Sequence, residues 1–168
     1  MSITHTKRMQ SHPQSIFMEA ALSEARAALQ LGNLPIGAAI VHEGSIVSVG
    51  RNAIDFPPDD TAHAELSAIR AAATFLHQHK RQCVLYTTLE PCMMCLGAII
   101  NAGIESLVVG APDRYVGAIC LLPHGEYYRY KQGRLEVTTQ FMAAQSQALL
   151  DEYVRRTGAR QHLSSSEA

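Results

Sequence analysis

Apolar residues spaced three and four apart mark the first element of the chain. From about Ser15 to Leu31, Phe17, Ala20, Ala21, Ala28, Leu29 and Leu31 fall near one helical face, and Gly32 is a natural stop. The pattern then changes. IGAAIVH, a turn-like EGS and IVSVGRN read as a β-hairpin, and AIDFPPDD reads as a loop, because paired prolines and aspartates cannot continue a strand. Thr61 predicts the N-cap of a helix from Ala62 to His77. CVLYTT is a short apolar strand. Pro91 fits the first turn of a helix running to Ala102, closed by Gly103. SLVVG and LEVTTQ are two further strands, separated by a loop rich in Gly, Pro and Tyr, and FMAAQSQALLDEYVRR is a final amphipathic helix ending at Gly158.

Strands that alternate with helices imply parallel pairing, with helices on both faces of the sheet, and the opening hairpin adds an antiparallel edge. The expected fold class is α/β: a three-layer α/β/α sandwich around a mixed five-stranded sheet. One domain is expected over residues 14–160, with flexible tails at 1–13 and 161–168. Hydrophobic residues make up 47% of the chain and charged residues 17%, which supports a packed core and excludes global disorder. The longest clean apolar runs, such as LPIGAAIV, are far too short to span a bilayer, and the polar N-terminus has no apolar signal region. A cytoplasmic location with no membrane partner is the expectation.

The four cysteines change the picture. In a chain without an export signal, metal or catalytic use is a better default than a disulfide. Cys83 and Cys120 lie in apolar contexts and read as buried thiols. Cys92 and Cys95 lie three apart at the start of a helix, where both sulfurs point the same way and the dipole favours thiolate. His63 supplies a nitrogen from the preceding helix. A Cys₂His set leaves a fourth zinc position for water, the mark of a catalytic rather than a structural site. Glu65, two residues from His63, then has a reason for its place: it reaches that water without ligating the metal and carries its proton. A redox cysteine pair, or half of a structural zinc site, would leave Glu65 unexplained. His42, His77, His79 and His124 read as surface or loop residues. Met93 and Met94 read as helix packing or subunit contact.

HAE followed by PCMMC fits the H-x-E … P-C-x-x-C signature and resembles the cytidine deaminase superfamily. LYTTLEPCMMCLGAII, with LPIGAAIV and GRN, is similar to a narrower branch holding bacterial tRNA adenosine deaminases, guanine deaminases and fungal cytosine deaminases. The likeness runs from about Phe17 to Gly110 and weakens toward Arg156. It implies one catalytic zinc on His63, Cys92 and Cys95, with Glu65 as proton shuttle. It implies that Asn52 hydrogen-bonds the substrate ring, that the Glu90 carbonyl meets the leaving ammonia, and that the Cys92 amide holds the developing oxygen. It also implies a homodimer. Asp113 matches an acidic position that either borders the substrate mouth or caps a turn.

Three functions are open: hydrolytic deamination of a small heterocycle, deamination of adenosine in a tRNA anticodon loop, and zinc binding without catalysis. The net charge of −1 and the Asp59–Asp60 pair ahead of His63 oppose a polyanion and favour a small-molecule substrate. EYYRYK, at 126–131, reads as an amphipathic loop with tyrosines against the core, and base stacking is its functional alternative. Arg155, Arg156 and Arg160 read as cations at a helix C-terminus, with phosphate contact as the alternative.

Overall fold

A computed structural model describes residues 13–55, 58–131 and 134–158. The expected tails therefore lie mostly outside the described residues, as does Arg160. Helix α1 (Ser15–Gln30) leads into strands β1 (Gly37–His42) and β2 (Ser45–Arg51). Helices α2 (Ala64–Ala71) and α3 (Ala73–His79) precede β3 (Cys83–Leu89). Then come α4 (Met93–Ala102), β4 (Ser106–Ala111), α5 (Glu126–Tyr130), β5 (Glu136–Thr138) and α6 (Ala143–Thr157). Short 3₁₀ turns lie at Lys80–Gln82 and Ile119–His124.

The five strands form one sheet in the order β2-β1-β3-β4-β5. β1 is antiparallel to both β2 and β3, whereas β3, β4 and β5 run parallel. The mixed α/β/α sandwich of the sequence reading is therefore the fold. Alternation builds its two cores. Ala38, Ile40, Leu85, Leu107 and Val109 pack with Ala64 and Ala68 of α2 and Ile99 of α4. Ala39, Val41, Tyr86 and Val108 pack with Phe17, Met18, Ala21 and Leu22 of α1, and with Leu149 of α6.

Several boundaries differ from expectation, each for a local reason. The helix expected over Ala62–His77 begins at Ala64 with His63 as its N-cap and breaks at Ala72. Thr61 is not the cap. Its N–H and hydroxyl instead donate to Asp59 Oδ1, at 2.8 and 2.7 Å, in a turn before the helix. Helix α4 begins after Cys92 rather than at Pro91. Strand β5 keeps three residues of LEVTTQ. On α1 the buried face includes Met18, Leu22 and Ala25, and Leu31 is exposed. Cys120 is exposed rather than buried, whereas Cys83 is buried as expected. EYYRY forms a short helix with Tyr127 and Tyr130 exposed, so only part of it packs inward. His42 is half-buried, its ring edge-on to Phe75 and tilted against His79. Among the described residues, no helix is long and apolar enough to cross a membrane.

Candidate zinc site

The site lies beyond the carboxyl end of β3, where α2 and α4 begin side by side. His63 and Cys92 are the N-caps of these two helices, both with extended backbone. Cys95 follows one turn later and is buried. The chain thus brings two positive helix ends and three soft donors to one point.

His63 Nδ1 lies 3.7 Å from Cys92 Sγ and 3.6 Å from Cys95 Sγ. Zinc at the centre of a tetrahedron, with Zn–S of about 2.3 Å and Zn–N of about 2.0–2.1 Å, sets such donors about 3.6 Å apart. All three donor atoms lie within 4.8 Å of one another, and they form the only such group of three found among the described residues. The donor set therefore fits zinc in both geometry and softness. Hydrogen bonds from Cys95 and then His63 hold the Cys92 thiol down at about 3, so this ligand is a thiolate across the working pH range. The same bond to Cys92, then burial, pushes the Cys95 thiol up. The Cys92 sulfur raises His63. A divalent cation held by His63, Cys92 and Cys95 would take the place of the proton that these groups share.

Glu65 projects from the first turn of α2 and is 3% exposed. Thr87 Oγ1 donates to its Oε1 at 3.0 Å and also lies 3.1 Å from the Leu89 carbonyl. Burial pushes the Glu65 carboxyl above the usual range. Thr87 was not among the expected site residues. Its signal is a threonine in a buried strand, two residues before Leu89 and on the same face, where an apolar side chain would otherwise sit.

Asn52 is 2% exposed, with its N–H on the Ile36 carbonyl at 3.0 Å. Its Oδ1 accepts from the Ile54 N–H at 3.3 Å. Asn33, also absent from the expected set, accepts the Asp55 N–H at 3.1 Å and fixes the same loop. Asp113 is buried, and its Oδ1 caps a turn by accepting from Tyr115 N–H at 3.0 Å and Val116 N–H at 3.1 Å. Of its two readings, turn capping is the one with observed bonds. The Glu90 carboxylate holds the backbone of the same segment.

Paired thiolate and imidazole ligands with a buried carboxylate two residues from the histidine define a zinc-dependent deaminase class of site. The chain matches the model of the cytidine and deoxycytidylate deaminase zinc-binding region over residues 11–111, and it belongs to that family. It is 41% identical over 104 residues to the tRNA-specific adenosine deaminase of Aquifex aeolicus, covering 61% of this chain and 69% of that one. It is 44% identical over 116 residues to the chloroplastic tRNA(adenine(34)) deaminase of Arabidopsis thaliana. That match covers 66% of this chain but only 9% of the longer plant protein. A solved structure from studies of A-to-I editing by tRNA:A34 deaminases superposes with TM-score 0.68 at 35% identity, covering 82% of this chain and all of that one. The guanine deaminase of Nitrosomonas europaea superposes with TM-score 0.68 at 26% identity, covering 85% of each chain.

Proposed function

We propose that this chain is a hydrolytic deaminase that converts adenosine to inosine in a tRNA anticodon loop, built as one domain over residues 14–160. The observation that carries the chemistry is the buried Glu65 carboxyl beside the His63–Cys92–Cys95 donor set. The likeness to tRNA-specific adenosine deaminases, 41% over 104 residues, supports the substrate.

When bound on His63, Cys92 and Cys95, zinc supplies a Lewis acid that makes a water nucleophilic near neutral pH. Glu65 would take the proton that this water gives up and return it to the ring nitrogen beside the amino-bearing carbon, then carry the second proton from the added hydroxyl to the amino group, so that the C–N bond breaks with release of ammonia. Its raised pKa suits a group that must both accept and release a proton. Asn52 orients the ring through its side-chain amide. The Glu90 carbonyl accepts from the departing ammonia, and the Cys92 amide holds the oxygen left on the ring. Thr87 keeps the Glu65 carboxyl in place.

A net charge of −1 hides a local concentration of cations. Lys80, Arg81, Lys131 and Arg134, with Tyr128, Tyr130 and one carboxylate, Glu105, line an open cleft of about 430 Å³ at the far end of α4. Glu105 pairs with Arg81 at 3.5 Å and with Arg134 at 3.9 Å, and the cleft keeps an excess of cations. Such a surface suits a phosphate backbone. Exposed Met93, Met94, Tyr115 and Val116 form an apolar rim near the site that suits self-association into a homodimer.

A small free ring is the second reading. Exposed Asp59 and Asp60 favour it, since two carboxylates ahead of His63 repel an incoming phosphate backbone. The test is mass spectrometry of a synthetic anticodon stem-loop after incubation with the zinc-loaded protein. Inosine at the first anticodon position supports the tRNA reading. Turnover of a free base or nucleoside with an untouched stem-loop overturns it.

A further inference from the structure

Glu90 ends the turn from β3 into the Pro91–Cys92 segment, and its N–H donates to the Ala111 carbonyl at 2.9 Å. Its side chain does something else. Oε2 accepts from the Asp113 N–H and Oε1 from the Ile119 N–H, each at 3.2 Å. One carboxylate thus grips both ends of the segment 113–119.

Other bonds close the same segment against the Cys92 turn. The Ala118 N–H donates to the Pro91 carbonyl at 3.1 Å, and Gly117 pairs with Cys92 in an antiparallel bridge. Gly117 is required by close approach. A Cβ there would lie 2.3 Å from the Asp113 carbonyl oxygen and 2.5 Å from Glu90 Cδ. At the tip stand Tyr115 and Val116, 61% and 58% exposed, over a base whose Asp113 and Ala118 are buried.

We propose that the Glu90 side chain is a positioning residue, which latches segment 113–119 onto the turn bearing Cys92 and so preforms one wall of the substrate mouth. A carboxylate is the side chain for this task, because it offers two acceptor oxygens and no donor. Glutamine keeps one acceptor and sets its NH₂ against the second N–H. The kinetic part rests on the proposed deaminase activity. The latch itself does not.

The test compares Glu90→Gln and Gly117→Ala with the wild-type, full-length, zinc-loaded protein. Amide hydrogen exchange is read at 113–119, zinc content by elemental analysis, and kcat and KM on the anticodon stem-loop and on a panel of free bases and nucleosides. In both variants, exchange across 113–119 should rise about tenfold or more while α4 and zinc content stay unchanged. On whichever substrate the wild type turns over, KM should rise about tenfold with kcat within about threefold. Unchanged exchange overturns the latch. Faster exchange with unchanged KM overturns its role in the substrate wall, and loss of zinc shows that Glu90 serves the metal turn instead. An inactive wild type refutes the deaminase reading, and the exchange data still decide the latch.

Discussion

Replacing Glu65 with glutamine removes the proton carrier but keeps the shape of the site. The side chain is 3% exposed, and the Thr87 hydroxyl 3.0 Å away can donate to a Gln oxygen as it does to the carboxylate. The fold and the zinc ligands should therefore be intact. Loss of general acid–base transfer should lower kcat by roughly 10²–10⁴-fold, or about 3–5 kcal/mol in the barrier. Stability should move the other way. Burial raises the Glu65 pKa above its ordinary 4.5, so the unfolded chain loses the proton first as pH rises. The stabilisation from the protonated form is present below the unfolded value and is lost as pH rises through the folded one. Two thiolates balance a zinc ion, so the carboxylate gains no net counter-charge from the filled site. Glutamine carries no such burden. At neutral pH the variant should be more stable by about 1 kcal/mol or more, which raises the melting midpoint by roughly 2–4 °C per kcal/mol. The gap should close below pH 4.5, the ordinary carboxyl value. The assay is a melting series from pH 4 to 8 at matched zinc content, beside ammonia release. A variant that melts lower than wild type at pH 8, or that keeps its kcat, refutes the reasoning.

Cys92→Ser or His63→Ala should weaken zinc binding by at least about a hundredfold, because each removes a direct ligand; competition with a chromogenic chelator measures it. Gly37→Ala should destabilise the fold by about 3 kcal/mol or more, since the new Cβ would lie 2.0 Å from the Ala21 carbonyl oxygen, and thermal melting reads the loss. Iodoacetamide at pH 8 should label exposed Cys120 quickly and spare Cys83, whose thiol burial pushes up to about 11; peptide mass spectrometry separates the two.

Much of the site was legible because its chemistry is local. His63 and Glu65 are two residues apart, and Cys92 and Cys95 three apart, so each pair can be read without knowing the fold. The apolar runs of β1, β3 and β4, alternating with helical patterns, likewise predict a sheet with two covered faces. What escaped depends on contacts between distant segments. Thr87 reads as an ordinary strand residue until α2 places Glu65 3.0 Å from it. The Glu90 carboxylate reads as part of a motif until Asp113 and Ile119, 23 and 29 residues on, present their N–H groups to it. Helix starts slipped for a related reason. Thr61 and Pro91 have the local chemistry of a helix start, but the N-cap positions go to the residues that must face the metal.

Ammonia release measured against zinc content tests the central claim most directly. Zinc would be titrated into chelator-stripped protein, with an adenosine-bearing anticodon stem-loop and free bases and nucleosides offered as substrates, and Glu65→Gln run in parallel. Activity should rise linearly to one zinc per chain, yield inosine in the stem-loop, and fall by about a hundredfold or more in the variant. Activity that ignores zinc, or that stays near the wild-type rate without the Glu65 carboxylate, would contradict the account.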